Sequence, residues 1–327
     1  MQSRDYWDKR FEELEAKQHE DAEKKLESLL KEYDDAVEEV ERIFAKFYLR
    51  YAKDGIVTNA EARRILNSAE MVEFRKIIRK MRERAEDKTW KKKLEKFELR
   101  QRVTRLELLL LQLQDKLDYL AYRQRQTVID VVEKQHEHQY LYVLFLLQVG
   151  LGTLMKVTEI PILTLEELLT TVWAMDGKSF AERVVTVAER HKREVERILI
   201  QGFSRGDPPQ KIIDELVKRF NMSRNNAKRL VMTEQNYFNT KATAKAFANH
   251  GVKTYRFVAT IDSRTSDICR SMHRKTFPMS EMRIGINAPP LHPNCRSVIV
   301  PVREVETPLT ISFNEWIDKF VNKLSSI

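Results

Sequence analysis

From Ser3 to Ala52 the chain contains no glycine and no proline, and its apolar residues recur at three- and four-residue steps: Trp7, Phe11, Leu14, Ala22, Leu26, Leu29, Tyr33, Val37, Val40, Phe44, Phe47 and Tyr51. A stripe of that period is one face of an α-helix, or of two helices nearly in line. A single helix over this run would be about 75 Å long. Asp54-Gly55 stops it, glycine being suited to the left-handed cap. Thr58-Asn59-Ala60-Glu61 reads as a capping box that opens a second helix, and a third is expected from about Ala69 to Glu86. Trp90 to Gln148 again lacks glycine and proline, and Leu94, Phe97, Val103, Leu106, Leu110, Leu113, Leu117, Leu120, Val128 and Val131 carry its stripe. The spacing predicts helix throughout this run. Stripes of this kind are buried against one another, as a helical hairpin or a bundle.

The middle of the chain is more often interrupted. Tyr140 to Met155 is the most apolar stretch, but it contains Gln148 and is broken by Gly150 and Gly152. A membrane span takes about 20 apolar residues, so this reads as a buried helix end and turn. Ser179 to Phe203 predicts a helix, followed by a loop at Gly206-Asp207-Pro208-Pro209. A short helix through Ile212, Leu216 and Phe220 is expected to end at Asn221-Met222-Ser223, with Ser223 capping another that runs to about Asn249. Gln210 to Leu230 therefore has a helix-turn-helix rhythm, a weak sign of DNA reading because short helices joined by polar turns are common in all-α cores. After His250-Gly251, Thr254 to Thr260 and Arg296 to Val302 alternate as strands do and are expected to pair. From Ser312 a last helix places Phe313, Trp316, Ile317, Phe320 and Leu324 on one face, expected to cap the preceding module, with docking on a partner the alternative. The expected fold is mainly α: an elongated helical N-terminal region with a small C-terminal α/β module. Its parts are 1–155, 156–250, 251–306 and 307–327.

The formal net charge is +9, and between Gly251 and Arg303 nine Lys/Arg stand against three Asp/Glu, a local excess of +6. A concentrated basic module suits a polyanion, nucleic acid above all, and a solvated surface is the alternative use of such charge. The candidate contacts are Arg264, Arg270, Arg274, Lys275, Arg283, Arg296 and Arg303, interleaved with Phe257 and Phe277 rather than set on one helix face. That pattern suits phosphate contact without sequence preference more than base reading. Arg296 has a second use, a pair with Asp262 inside the module.

The same stretch holds both cysteines of the chain. Cys269-x-x-x-His273 is followed, after eighteen residues, by His292-Pro-Asn-Cys295. Two thiols and two imidazoles in two short pairs match the ligand arithmetic of a tetrahedral zinc site, Cys269, His273, His292 and Cys295 being the candidate ligands. Zinc would replace the large core that a module of this size lacks. Two other readings stand beside it: reduced, hydrogen-bonded core residues, or a Cys269–Cys295 disulfide. Two cysteines do not make a disulfide framework, and MQSRDYWDKRFEEL has no apolar run of a secretory leader, so a reducing site of synthesis is expected. A metal with three protein ligands would leave a position for activated water, with Glu234 as base. No HNH, His-Glu-x-x-His, nucleophile-elbow, Walker A or Rossmann pattern supports catalysis.

Asp262-Ser263-Arg264-Thr265-Ser266, Ile268-Cys269-Arg270 and Pro289-Pro290-Leu291-His292-Pro293-Asn294-Cys295-Arg296-Ser297 together resemble the C-terminal signature of phage Mu F-like minor head proteins. Upstream, Arg229-Leu230-Val231-Met232-Thr233-Glu234 resembles the helix preceding that signature, so the likeness covers about Lys228 to Val302. Cys269, His292 and Cys295 fall on signature positions, and His273 does not. The resemblance implies a non-catalytic minor head protein of the virion interior, made in the host cytoplasm. Its implied partners are the portal protein and other head components, with packaged DNA a further contact and no membrane. Its expected cofactor is Zn2+ or none. The rival from another class is a zinc-dependent nuclease or related DNA-acting enzyme.

Overall fold

The computed structural model describes residues 3–86, 88–161, 163–306 and 308–321. The Gly/Pro-free N-terminal run is one helix, α1 (Ser3–Tyr51). It is followed by α2 (Asn59–Ala62), α3 (Ser68–Arg84) and α4 (Lys88–Glu98). Then come α5 (Arg105–Gly150), α6 (Leu165–Thr170), α7 (Phe180–Arg205) and α8 (Pro209–Asn249). The C-terminal part holds β1 (Thr254–Val258), α9 (Asp267–Met272), β2 (Thr276–Pro278), β3 (Val298–Pro301) and α10 (Phe313–Phe320). The chain is thus mainly helical, with a long N-terminal helical region and a small three-stranded sheet near its C-terminus.

Two expected element boundaries fail. The run from Trp90 to Gln148 is two helices, because residues 99–104 leave the helix. There Leu66 N–H donates to Val103 O at 2.9 Å and Arg105 N–H to Arg64 O at 3.1 Å. Thr104 then starts α5 with a reciprocal cap: its hydroxyl accepts from Glu107 N–H at 3.2 Å, and its own N–H donates to Glu107 at 2.7 Å. The opposite error occurs at Asn221-Met222-Ser223, where α8 continues unbroken. Ile212, Leu216, Phe220, Ser223, Ala227 and Val231 are all buried at helical spacing, so Ser223 is a small member of a continuous stripe. There is no helix-turn-helix at this point.

The structure divides into two compact units. One comprises residues 27–126 and 181–228. Its core contains Leu66, Phe74, Ile78, Met81, Trp90, Leu94, Val103 and Leu111, and elsewhere in the unit the rings of Phe44 and Phe47 pack on Phe203. Buried charges within it are paired: Arg105 bonds Glu61 and Glu70, and Lys192 bonds Asp118 and Glu189.

The other unit comprises residues 1–26, 127–180 and 229–327. β1 lies at the centre of its sheet, antiparallel to β2 on one side (Tyr255 opposite Phe277) and to β3 on the other (Phe257 opposite Ile299). The short strand β2 was not foreseen. Helices α1, α5, α8 and α10 bury Trp7, Phe11, Leu147, Phe247 and Trp316 in one core with Tyr255, Ile299 and Val300 of the sheet. Trp316 Nε1 donates to Gln148 at 2.9 Å, so α10 closes this core, and Leu324 lies outside the described residues. A second small cluster forms from Phe257, Ala259, Cys269 and Cys295. Among the described residues no helix is long and apolar enough to cross a membrane.

Candidate functional site

The loop leaving β1 is built by short-range hydrogen bonds. Asp262 N–H donates to the Thr265 hydroxyl at 2.7 Å, and that hydroxyl donates to Thr260 O at 2.6 Å. Ser266 then caps α9, its hydroxyl accepting from Cys269 N–H at 3.3 Å. This cap fixes Cys269 in the first turn with its side chain buried. The second half of the site is a turn in which Cys295 N–H donates to His292 O at 3.2 Å and Asn294 takes a left-handed φ of 60°. Asn294 N–H donates to Thr233 Oγ1 of α8 at 3.1 Å, which ties the turn to the helix.

These two loops bring Cys269, His292 and Cys295 together, with one potential ligand atom of each within 4.8 Å of the others. The sulfurs are 3.6 Å apart, and His292 Nε2 is 3.2 Å from Cys269 Sγ. Both thiols are free, which removes the disulfide reading for this structure. His292 Nδ1 lies 2.8 Å from Pro293 O. A carbonyl there requires the proton on Nδ1, so Nε2 presents its lone pair to the sulfurs. This is the tautomer a metal needs, oriented by a carbonyl as metal-ligating histidines usually are. Two sulfurs on one tetrahedral zinc at about 2.3 Å would stand about 3.8 Å apart, close to the spacing present. Cys295 gives up its proton more readily than an ordinary thiol, at about 7, because Cys269 and then Ser297 hydrogen-bond to its sulfur. The thiol of Cys269 is held up by the same pairing and by burial. The donor set fits zinc.

His273 stands outside this group. Its Nδ1 accepts from Ala259 N–H at 3.1 Å, and its backbone N–H closes the end of α9. The basic residues have different surroundings. Arg296 donates to Asp262 at 2.7 Å, Arg264 lies 3.6 Å from the same carboxylate, and Arg270 donates to Asp262 O at 3.3 Å. Hydrogen bonding from Arg296 holds the Asp262 carboxyl well below the usual range. Arg264, Arg274 and Arg296 line a groove of about 720 Å³ whose other wall carries Glu12, Glu13, Glu20 and Glu23 of α1. Lys275 and Arg283 are exposed, and Arg303 is exposed with its guanidinium on His250 O at 3.0 Å.

Glu234, weighed as a general base against a surface or packing role, is buried and accepts from Trp173 Nε1 at 2.9 Å, and other supporting residues were missed. Asn236 donates both to Glu15 and to Ser297 O, at 3.2 Å each, joining α1 and α8 to the residue two beyond Cys295. The Ser266-x-x-Cys269 spacing was a readable capping signal; the Glu15–Asn236 contact had none.

Residues 193–300 match the family described as Phage Mu protein F like protein. The chain carries a Mu F-like region. The match reaches further upstream than the signature, taking in part of α7 and the whole of α8, and it includes Cys269, His292 and Cys295. No curated protein and no solved structure matches the chain significantly. The Mu F-like region therefore joins a long helix, the small sheet and the Cys/His cluster in one stretch of sequence.

Proposed function

We propose that the chain is a non-catalytic minor head protein that acts in procapsid assembly beside the portal and touches packaged DNA. The observation that carries this reading is the Mu F-like match over the segment where Cys269, His292 and Cys295 converge. In this reading Zn2+ is bound by those three residues and holds the α9 loop to the 292–295 turn, a structural role in a module with a small core of its own. Nucleic acid is met by Arg270, Lys275, Arg283 and Arg303, since Arg264, Arg274 and Arg296 share their groove with carboxylates of α1. A non-catalytic role is supported by the two carboxylates nearest the ligands in this reading, since Glu234 and Asp262 are both committed to other partners.

The test is DNA binding and cleavage by the zinc-loaded protein. Plasmid DNA should stay intact in divalent metal, while binding weakens steeply with salt and shows no sequence preference. Each phosphate contact removed lowers the salt slope by roughly one unit. Replacing Arg270, Lys275 and Arg283 by Ala together should therefore flatten it by about three units. Metal-dependent nicking would favour the nuclease, and an unchanged slope would reduce these cations to a solvated surface.

A further inference from the structure

The densest positive charge in the chain lies outside the Mu F-like region. Between Arg75 and Arg105 fourteen Lys/Arg stand against five Asp/Glu, an excess of +9 that equals the formal net charge of the whole chain. Gly251 to Arg303, a longer stretch, carries +6. Most of these cations stand on α3 and α4, in the unit of residues 27–126 and 181–228. Phe74, Ile78 and Met81 of α3 and Trp90 and Leu94 of α4 are buried in one core, which leaves the opposite face of each helix to solvent. The arginines there have partners nearby. Arg79 and Arg82 donate to Glu98 at 2.9 and 2.7 Å, and Arg84 Nε donates to Lys80 O at 3.2 Å. The lysines differ. Lys76, Lys80, Lys88, Lys91, Lys92 and Lys96 are exposed, and their ammonium groups have no hydrogen-bond or ion-pair partner among the described residues. Elsewhere in the unit Arg50, Arg123, Arg197 and Lys211 each pair with a carboxylate. Lys76 and Lys80 on α3, and Lys88, Lys92 and Lys96 on α4, follow four-residue steps, so each row runs along one helix face with about 6 Å between members. Like charges at that spacing repel one another, and a polyanion relieves the repulsion.

The side chains between the lysines select the partner. Among the described residues from Lys76 to Lys96 no large apolar side chain is exposed. A protein interface has an apolar core and is poor in lysine, and a membrane-surface helix buries an apolar face in lipid. Single-stranded nucleic acid is held on aromatic platforms. Here Trp90 is buried with its Nε1 on Asp115, and Phe97 packs against the core. The phosphates of a duplex ask only for cations. We infer that the lysine rows of α3 and α4 bind the phosphate backbone of double-stranded DNA, without reading its sequence, as a second contact besides the C-terminal cations. The inference deepens the DNA contact proposed above and rests on that reading for its occupant.

The experiment titrates the full chain into a labelled short DNA duplex of mixed sequence and follows fluorescence anisotropy over a range of salt. Lys88→Gln, Lys92→Gln and Lys96→Gln are combined, since glutamine suits a helix about as well as lysine and helical content should hold. A control combines Lys31→Gln, Lys46→Gln and Lys218→Gln, which removes the same charge from exposed positions of the same unit outside these helices. The expected result is a salt slope lower by about 2.7 units in the α4 variant and unchanged in the control. An unchanged slope in the α4 variant would overturn the inference and make these lysines a solvated surface. An equal fall in the control would overturn it too, leaving net charge as the cause. Parallel titrations with the single strand and with phosphatidylserine vesicles test the occupant, and a loss confined to either would refute the duplex assignment. If the Arg270, Lys275 and Arg283 variant flattens the slope and the α4 variant does not, the DNA contact proposed above stands and this inference falls. If the parent binds no duplex, both fall, and the head-protein reading is decided separately by procapsid composition.

Discussion

Glu15 is the sharpest point at which the packing can be tested by a single atom. It sits on α1 with only 5% of its surface exposed, and one of its oxygens accepts from Asn236 at 3.2 Å. Burial pushes its carboxyl up from 4.5 to about 8, against smaller opposing effects of the Asn236 hydrogen bond and of Arg296. At neutral pH the folded protein therefore holds a proton that the unfolded chain releases. Between pH 4.5 and 8 the folded state binds more protons than the unfolded one, so stability falls as pH rises through this window. Each pKa unit is about 1.4 kcal/mol, so at pH 7 keeping Glu15 neutral costs about 3 kcal/mol relative to pH 4.5. Glu15→Gln keeps an acceptor for Asn236 and has nothing to titrate. Urea unfolding followed by tryptophan fluorescence, in which Trp7 and Trp316 report on this unit, should show the variant about 3 kcal/mol more stable at pH 7. That advantage should shrink towards zero near pH 4.5 and grow with pH up to about 8. A constant offset at every pH, or a variant less stable than the parent at pH 7, would refute the reasoning.

The remaining predictions concern packing and the metal. A Cβ at Gly150 would fall 2.4 Å from the Trp7 ring, so Gly150→Ala sets an overpacking cost of about 1–3 kcal/mol against a helix-propensity gain of about 1. A net loss of roughly 1 kcal/mol, read as a lower Tm, is expected, and a raised Tm would show that Trp7 yields freely. Cys269→Ser should abolish stoichiometric zinc by elemental analysis of protein purified without chelator. Zinc present at about 100 times its Kd should add about 2.7 kcal/mol to the parent, and chelation should remove it. Hydrogen exchange locates that loss: amides of residues 259–272 and 292–297 should lose protection while those of α5 from Tyr140 to Leu147, packed in the other core, keep theirs.

What the sequence disclosed followed from local rules. The length of α1 was legible because no residue from Ser3 to Tyr51 interrupts a stripe that is in fact buried. Of the two short pairs, His292 and Cys295 do meet Cys269, while the Cys269-x-x-x-His273 spacing misled because His273 Nδ1 is taken by Ala259 N–H. The failures lie where local chemistry is overruled. Asn221 and Ser223 looked like a stop, yet the stripe through Phe220 and Ala227 carries α8 across them. The break before α5 was signalled by Thr104-x-x-Glu107, but its cause, pairing of residues 103–105 with 64–66, is tertiary. The least legible part was α8 from Thr233 to Thr240, whose polar letters suggest a surface although all eight residues are buried. Glu234, Asn236 and Asn239 find partners in residues distant in sequence, which no local pattern announces.

The central claim, a head component held beside the portal, is tested most directly by composition. Procapsids assembled in the presence of this chain, with and without portal protein, would be purified and the chain quantified against the major capsid protein by mass spectrometry. The account predicts a fixed low copy number in complete procapsids and its loss when portal is omitted. Equal amounts in both would contradict portal association, and absence from complete procapsids would contradict the head-protein reading itself.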